Sequence, residues 1–514
     1  MADSETILRE YTTKVDYPAI YRAEAAPKEI ALAAALRGYD TVDLTKPFTY
    51  CDLACGPGET VVLLAKCHPH AQFYGIDINP SHIAQAKRRA EELGVENLTL
   101  LEGDFRHLDK LSLPQFDFIA VLGVLSWIPL KLQRIALKNA ATLLKPTGLM
   151  LTHYAAAPIG GVTRAAPSIL AMLTPSELHG TVEGAQTAFN RFDKLAKANT
   201  GIYPQLAQQV QGIKNSFKLD PEYALHDFFH SATTLSFEDF SDMMEEQGLE
   251  FAACSRLGQI VPEAFVAETL IRPFDFENSW DTNQPLLQTL SRESSRQDIF
   301  VHRGVKSDIV DVFTKGSISG MFIESWSESA IQSLESVNQA SPIDLTGDSY
   351  KSIVNAVATS PQKLGELVSS FGAKRADQEA GIKRIAHLLA HRVLNLRFGS
   401  GEDLEQKSNL ELESFEFADD LWKYLAINRA FPIPSVANGG CITFNNDGKI
   451  KLYLMLNGDP NRLLQRVKRM PGFTGMRTQQ GVVQTGAQLK SLMAPELANY
   501  TKQWTRMFNR YGIA

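Results

Sequence analysis

The chain has 514 residues, of which 44% are hydrophobic and 21% charged, and its formal net charge is −7. This composition excludes an intrinsically disordered protein and predicts two to four domains, and the acidic balance argues against a nucleic-acid substrate. The first residues lack the basic and apolar character of a signal peptide, and the apolar stretch near 118–130 is too short to span a bilayer. We therefore expect a cytoplasmic protein without a membrane segment.

The first strong pattern is a strand, a small-residue turn and a helix over residues 48–65. The apolar run Phe48-Thr-Tyr-Cys ends at Asp52, and the turn Leu53-Ala-Cys-Gly-Pro-Gly58 leads into a helical segment. Gly56 and Gly58 allow the backbone to approach a ligand closely, and the amides at the start of the helix can bind polar groups. These residues predict a nucleotide-binding loop. Cys51 and Cys55 belong to this strand and turn, so no metal site is expected.

A second strand is predicted over residues 72–77, and it ends in an acidic residue, Asp77. A carboxylate at this strand end can accept hydrogen bonds from both hydroxyls of a ribose, and Ile78 follows it directly. Asn79-Pro80-Ser81 then predicts a helix N-terminus, and helical spacing of apolar residues continues until Gly94. Together the two strands and their helix form one βαβ unit.

Five more strands complete a predicted sheet. The third, residues 98–105, ends in Asp104 and Phe105, which suit an adenine amino group and ring face, and the fourth ends at Gly123. A fifth is expected over 148–154, and 249–256 with 297–303 would form a closing antiparallel hairpin. We predict a Rossmann-like, seven-stranded α/β sheet with helical insertions. The insertion of about residues 155–248 follows a strand end, where a lid and an acceptor pocket would lie.

The spacing of the glycines separates two candidate cofactors. A dinucleotide fingerprint needs a third glycine where this chain has Val61, so NAD is disfavoured. Asp52-Leu-Ala-Cys-Gly-Pro-Gly58 instead resembles the first motif of class I methyltransferases that use S-adenosylmethionine (SAM), with Ala54 in the place of the usual first glycine. Asp77, Gly103-Asp104-Phe105 and Leu144-Lys-Pro-Thr-Gly148 resemble the later motifs. The resemblance implies a SAM site formed by Tyr17, Asp52, Ala54, Cys55, Gly56, Gly58, Asp77, Ile78, Asp104, Phe105 and Gly123.

A narrower resemblance covers about residues 10–304. Tyr11-Thr-Thr-Lys-Val-Asp-Tyr17-Pro18, Gly123-Val-Leu-Ser-Trp-Ile-Pro129 and Tyr223-Ala-Leu-His226-Asp227-Phe228 resemble segments of bacterial methyltransferases with a methyltransferase regulatory domain. That group includes the rickettsial lysine methyltransferases of outer-membrane proteins. The chain departs from the group after Pro18, where Ile20-Tyr-Arg-Ala-Glu-Ala-Ala-Pro27 replaces a Phe-Pro-x-Thr-His-Pro segment. The resemblance implies a SAM-dependent enzyme, in some members acting on protein lysines, with accessory domains that help to hold the substrate.

Six residues are candidates for contact with the methyl acceptor. Trp127 and Tyr154, at strand ends, can form aromatic walls together with Tyr17 and Tyr21 for an alkyl stem and a methylated ammonium. His226 and Asp227 can supply a base or orient the acceptor. The alternatives are packing under the lid for Trp127 and a capping or interdomain role for His226 and Asp227.

Three hypotheses for the reaction and its methyl acceptor remain. The leading one is N-methylation of protein lysine side chains, the second is O- or N-methylation of a small molecule, and the third is a SAM-binding scaffold that transfers nothing. Absence of an Asn/Asp-Pro-Pro-Tyr motif after strand four argues against nucleobase amines, so no nucleic-acid partner is expected.

The domain prediction has three parts. Residues 1–47 form an N-terminal cap, 48–304 the SAM-binding domain, and 305–514 a C-terminal α+β region that is winged-helix-like. In the last part, the apolar residues Ile382, Ile385, Leu388 and Leu389 predict a helix that ends near Gly399, and Asp447-Gly448 predicts a hairpin turn. Substrate binding or formation of a homodimer is the role expected there.

Overall fold

The computed structural model describes residues 17–230, 232–274, 280, 282–291, 293–304, 306–325, 330–358, 360–398, 431–435, 438–444, 452, 477–478 and 481–482. Within these residues no helix is both long enough and apolar enough to cross a bilayer.

A seven-stranded sheet with the order β3-β2-β1-β4-β5-β7-β6 forms the centre of the molecule. Its strands are β1 (Thr49–Leu53), β2 (Gln72–Asp77), β3 (Leu98–Glu102), β4 (Phe116–Val121), β5 (Leu144–Ala155), β6 (Leu249–Cys254) and β7 (Ser295–His302). β7 is antiparallel to both β5 and β6, whereas β1 to β5 are parallel. The predicted Rossmann-like sheet with a closing hairpin is therefore confirmed.

The central strands are continuous apolar runs because helices cover both faces of the sheet. All six residues of β4 are buried, as expected for a strand in the middle of a covered parallel sheet. The helices up to the end of the sheet are Pro27–Ala35, Glu59–Cys67, Pro80–Glu92, Leu130–Leu143, Ile159–Leu173, Val182–Lys197, Tyr203–Leu219, Pro221–Phe228, Phe237–Glu245, Leu257–Ile260, Glu268–Ile271 and Gln284–Ser291, with short 3₁₀ turns at Ala23–Ala25, Phe105–Lys110, Leu125–Trp127, Ser176–Leu178, Pro262–Ala264 and Arg272–Phe274. The Asn79 side chain accepts a hydrogen bond from the Ser81 N–H and caps its helix as predicted.

The helical insertion after β5 has two parts. Four helices between Ile159 and Phe228 share their own buried core, which includes Phe189, Phe192, Val210 and Phe229. The following helix, Phe237–Glu245, packs on the sheet instead through its apolar side chains. Only the first four helices therefore stand apart from the sheet as a separate layer.

A smaller antiparallel sheet, β10-β8-β9, lies in the C-terminal region. Its strands are β8 (Phe322–Ser325), β9 (Gln362–Lys363) and β10 (Leu394–Arg397), and the helices of this region are Ile309–Thr314, Ala330–Asn338, Asp348–Ala358, Leu364–Ser370 and Arg375–Ala390, with a 3₁₀ turn at Ser317–Gly320. The buried core of this region is continuous with that of the helix Pro27–Ala35 and one face of the large sheet. The N-terminal helix thus joins the two parts of the molecule.

The structure corrects one boundary in the C-terminal region. The helix predicted to end near Gly399 ends at Ala390, because Arg392 adopts a left-handed backbone conformation and residues 394–397 pair with β8 as β10. Two further pairs of short strands are β11 (Phe431–Ser435) with β12 (Gly440–Phe444) and β13 (Arg477–Thr478) with β14 (Gly481–Val482). The hairpin turn predicted at Asp447-Gly448 lies outside the described residues, and the likeness to a winged helix stays a prediction.

The turn after β1 carries a strained residue. Ala54 has φ +66°, in the left-handed region that disfavours any residue with a Cβ atom. Its N–H and that of Cys55 both donate to the carbonyl oxygen of Ile76, at 2.8 and 3.1 Å, which holds the turn in place. The chain therefore tolerates a methyl group where resembling sequences have glycine, at a cost in stability.

We expect Ala54→Gly to raise the free energy of unfolding by about 1 kcal/mol, because glycine adopts this conformation without the steric penalty. Thermal unfolding of the purified protein would measure the effect. Ala33→Gly is the matched control, since Ala33 is buried within a helix and should lose stability on the same change. A lower melting temperature for Ala54→Gly would show that the turn is not strained.

Candidate active site

A cleft opens at the carboxyl ends of β1 and β4. Its walls come from the glycine-containing turn, from the loop after β4, from the N-terminal segment and from the helical insertion. The lining residues are Tyr17, Pro18, Ile20, Arg22, Asp52, Ala54, Cys55, Gly56, Pro57, Glu59, Thr60, Leu122, Gly123, Val124, Trp127 and His226. The cleft lies where ligands bind in open α/β sheets.

The N-terminal segment, residues 17–22, lies across the glycine turn and is fixed there by hydrogen bonds. The Thr60 hydroxyl donates to the carbonyl oxygen of Ile20 and accepts from the Arg22 N–H, both at 3.1 Å. The Tyr17 N–H donates to His82 Nε2 at 3.1 Å, and the Tyr17 hydroxyl accepts from the Arg22 guanidinium at 2.8 Å. A segment distant in sequence therefore forms one wall of the cleft.

Asp77 connects the glycine turn to the end of β2. Its side chain is 3% exposed, and it accepts hydrogen bonds from the N–H groups of Gly56 and Asn79, both at 2.8 Å. His82 Nδ1 lies 3.2 Å from the same carboxylate. Because Tyr17 donates to Nε2 of this ring, Nδ1 carries the proton and donates to Asp77. Asp77 thus supports the glycine turn, and its contact with a ribose stays a prediction.

Gly58 allows two helices to approach each other at the base of the turn. It has φ +78°, and a Cβ atom there would lie 2.4 Å from the Cβ of Ala86. Gly56 also has a positive φ, of 57°, and its N–H is the one that reaches Asp77. The turn therefore requires glycine at both positions. Gly58 allows the close packing of the helices, and Gly56 allows the loop conformation.

Asp104 and Phe105, predicted for the adenine, lie at the end of β3. The Asp104 carboxylate accepts from the backbone and the guanidinium of Arg106, and these bonds hold its pKa below the usual range although burial works to raise it. Phe105 packs in the core below the sheet. Ile78 lies at the neighbouring strand end, partly exposed. The structure does not bring these side chains into the cleft described above, so their role remains a prediction.

Three aromatic rings meet on one side of the cleft. The ring of His226 lies edge to face with Tyr17 and Trp127, at centroid distances of 4.6 and 5.6 Å. His226 Nδ1 is buried and has no hydrogen-bond partner among the described residues. The guanidinium of Arg164, from the helical insertion, lies 4.8 Å above the Trp127 ring. The predicted residues Trp127 and His226 thus meet in space.

Asp227 lies behind this group of rings. Its carboxylate accepts from the Tyr223 hydroxyl at 2.7 Å and approaches His226 Nδ1 at 3.7 Å, and Arg164 lies 3.9 Å away. Burial works to raise its pKa, but the contacts with His226, Arg164 and Tyr223 prevail and hold the pKa below its usual value. Asp227 is therefore ionised at neutral pH.

Tyr154 is the predicted acceptor residue that the structure places elsewhere. It is 1% exposed, its hydroxyl donates to Asp298 at 2.8 Å, and its ring stacks on Phe240 at 3.9 Å. The side chain lies in the buried core beside Phe240 and is not among the residues that line the cleft. The prediction that Tyr154 forms a wall of the acceptor pocket is corrected accordingly.

The neighbouring residue His153 points to the opposite face instead. Burial, with Arg22, Arg256 and Arg164 nearby, lowers the pKa of His153 to about 3, so the ring is neutral. Its Nδ1 is buried without a hydrogen-bond partner among the described residues. His153, Arg22 and Arg164 were not predicted as site residues from the sequence. Only the alternation along β5 could have indicated His153, and nothing local indicated the two arginines.

Residues 44–215 match a family model described as a methyltransferase domain. With the order of the sheet and the cleft at its carboxyl edge, the match defines the class: the chain carries a class I methyltransferase domain, and SAM is its cofactor. The cleft fits this cofactor, since it is lined by the glycine turn and by the buried carboxylate of Asp52.

The particular proteins similar to this chain are bacterial. The structure of PKMT2 from Rickettsia typhi aligns with 96% of this chain and 99% of its own length at a TM-score of 0.60 and 15% identity, and the same protein in complex with AdoHcy aligns at 0.59. This likeness shows that the fold is shared over both parts of the molecule. An uncharacterised protein of Synechocystis, sll1526, is 28% identical over 251 residues, 48% of this chain and 49% of that protein. The chain thus spans about half the length of this curated relative.

Proposed function

We propose that this protein transfers a methyl group from SAM to a nitrogen of a protein substrate, most concretely the Nζ atom of a lysine. The observation that carries the proposal is the group of aromatic rings, Tyr17, Trp127 and His226, on the acceptor side of a cleft whose other wall is the glycine turn. Such rings suit the alkyl stem of a lysine and its methylated ammonium. Asp227, ionised beside His226, helps to fix the orientation of that ring, since its carboxylate lies 3.7 Å from His226 Nδ1.

The residues of the cleft can position the acceptor and prepare its lone pair. When bound, SAM supplies an electrophilic methyl group on a positively charged sulfur. A lysine has an ordinary pKa of about 10.4, and a partly buried, cationic environment lowers that value and favours the neutral amine. Because His226 Nδ1 lies 3.7 Å from the ionised Asp227 carboxylate, the tautomer protonated on Nδ1 is favoured, and it leaves Nε2 to accept a hydrogen bond from one N–H of this amine. Alignment of the two reactants supplies much of the rate of such a displacement.

The comparisons support a protein acceptor indirectly. The motifs around Trp127 and His226 resemble those of the rickettsial lysine methyltransferases, and the PKMT2 fold extends over the C-terminal region as well. We propose that residues 305–514 contribute to holding the substrate or to a homodimer, with 1–47 as the cap and 48–304 as the cofactor domain. The described residues 306–398 share a core with the N-terminal helix, which would keep a surface formed by them fixed relative to the cleft.

Incubation of the protein with radiolabelled SAM and a bacterial lysate should label protein bands. Trp127→Ala should lower the labelling rate by at least about tenfold, because one wall of the acceptor site is lost, while the affinity for AdoHcy changes by no more than about threefold. Trp280→Ala is the control variant, since Trp280 is buried against Arg37 and Phe251, away from the cleft.

Three outcomes separate the hypotheses. Labelled protein that loses its label only with Trp127→Ala supports a protein acceptor. Label confined to the small-molecule fraction would favour a small-molecule methyltransferase, and AdoHcy binding without any transfer would favour a scaffold.

A further inference from the structure

The N-terminal segment forms a thin wall between the cleft and a second cavity of about 770 Å³. Tyr17, Ile20 and Arg22 line the cleft, whereas Tyr21 and residues 23–24 line the second cavity. The opposite wall of that cavity comes from β10 and β12 of the C-terminal region. Because open space lies on both sides of the segment, hydrogen bonds rather than close packing fix its position.

These hydrogen bonds reach the segment from two sides. On the side of the cleft, the Thr60 hydroxyl and the His82 ring bind its backbone. On the side of the second cavity, the Tyr21 hydroxyl accepts a hydrogen bond from the Cys441 N–H at 3.0 Å. Cys441 belongs to β12, so the C-terminal region supplies one anchor for this wall of the cleft.

A buried lysine anchors the helix that follows the segment to the same region. Lys28, in the helix Pro27–Ala35, is 4% exposed. Its ammonium donates to Asn438 Oδ1 at 2.8 Å, to the Leu396 carbonyl oxygen at 3.0 Å and to Asn395 Oδ1 at 3.2 Å. An ammonium has three N–H donors, and a buried charge without its partners is costly. These three acceptors therefore favour one position of the helix on the C-terminal region.

We propose that the C-terminal region sets the affinity for SAM through Tyr21 and Lys28, which act together as a brace for the N-terminal segment. Neither residue lines the cleft, so both are positioning residues that act through the segment. With the brace intact, the segment is already in place as a wall of the cleft, and the cofactor does not have to order it on binding. The proposal rests on the binding of SAM in the cleft and does not depend on the nature of the methyl acceptor.

The affinity of the full chain for AdoHcy, measured by calorimetry, tests the brace. Tyr21→Phe should weaken AdoHcy binding about 3- to 10-fold, because it leaves the Cys441 N–H without this acceptor and releases the segment on one side. Lys28→Met should weaken the binding about tenfold or more. Tyr39→Phe is the matched control, since the Tyr39 hydroxyl donates to Glu250 at 3.3 Å and Tyr39 lines neither cavity. Its affinity for AdoHcy should change by no more than about twofold.

Two further measurements separate positioning from a general loss of stability. Amide hydrogen exchange at residues 19–24 should be about tenfold faster in unliganded Tyr21→Phe than in the unchanged protein, and it should slow again when AdoHcy binds. In the labelling of lysate proteins, the SAM concentration at half-maximal rate should rise about 3- to 10-fold, while the maximal rate changes by no more than about twofold. A variant that was only less stable would instead lose maximal rate, because part of the protein would be unfolded.

Unchanged affinity of Tyr21→Phe for AdoHcy would overturn the brace, even if the variant melted at a lower temperature. If Lys28→Met does not fold, Tyr21→Phe alone decides the question, because it removes only one hydroxyl group. AdoHcy binding that depends on Tyr21 without any labelled protein would contradict the protein acceptor and leave the brace standing. If the unchanged protein bound no AdoHcy, both the brace and the proposed function would be wrong.

Discussion

Asp52→Asn should stabilise the unliganded protein at pH 8 and weaken its binding of AdoHcy at the same pH. Burial and the neighbouring Asp77 raise the pKa of Asp52 to about 7. Ionisation of this carboxylate above that pH therefore destabilises the folded protein. The asparagine removes the charge and keeps the shape of the side chain. The upper bound of the gain is about 4 kcal/mol, from the difference between folded and unfolded pKa values.

The pH dependence follows from the sign of this shift. Between the ordinary pKa of an aspartate, near 3.8, and about 7, the folded protein binds a proton at Asp52 that the unfolded chain has released. The free energy of unfolding therefore falls as the pH rises through this window. The contribution of Asp52 to it is lowest above about pH 7. The stabilisation by Asp52→Asn should accordingly be large at pH 8 and small at pH 4.

Thermal unfolding of both proteins at several pH values would measure this difference. Asp109→Asn is the control, because Asp109 is exposed in the 3₁₀ turn after β3 and does not line the cleft. An Asp52→Asn variant that is less stable than the unchanged protein at pH 8 would show that the carboxylate has a partner in solution and is not reserved for a ligand.

Asp77→Ala should strongly destabilise the cofactor domain. The change removes the acceptor for the N–H groups of Gly56 and Asn79 and for His82 Nδ1, all of them buried or partly buried. A buried donor left without an acceptor costs about 1 to 3 kcal/mol, so a loss of about 2 to 4 kcal/mol in the free energy of unfolding is expected after partial relaxation. The glycine turn would also lose its support, and AdoHcy affinity should fall with it.

Chemical denaturation and calorimetry together would separate support from direct contact. Asp77→Asn is the informative companion, since its amide oxygen can still accept one of these hydrogen bonds. If the predicted contact with the ribose is correct, an AdoHcy analogue without ribose hydroxyls should bind Asp77→Asn and the unchanged protein equally. Unchanged stability of Asp77→Ala would contradict the hydrogen-bond network, and unchanged AdoHcy affinity would contradict the ribose contact.

The parallel sheet could be predicted from the sequence because its signals are local. Each strand is an apolar run, and residues such as Asp52, Asp77 and Gly123 mark the strand ends at one edge. The helix Pro80–Glu92 begins after its N-cap Asn79 and ends before Gly94, and both signals depend only on residues within one turn of the helix end. The helix ending at Ala390 was predicted too long, because the change to a strand there depends on pairing with β8, which lies far away in the sequence.

The candidate site could be predicted only in part. The glycine turn of the site is a contiguous motif. The other walls come from residues 17–22 and from the helical insertion, and only the folded chain brings these segments together. The burial of Tyr154 was not predicted, because a strand buried on both sides has no alternation of polar and apolar residues to show which side chains reach the cleft. Arg22 lacked any motif, and its position became evident only from its contacts with Tyr17 and Thr60.

The most direct test of methyl transfer to lysine uses SAM with a trideuterated methyl group, a bacterial lysate and mass spectrometry of the digested proteins. We expect the heavy methyl group on lysine Nζ atoms, with the signal strongly reduced for Trp127→Ala and retained for Trp280→Ala. Heavy methyl groups only on small molecules, or on carboxylates or hydroxyls of proteins, would contradict the proposed acceptor.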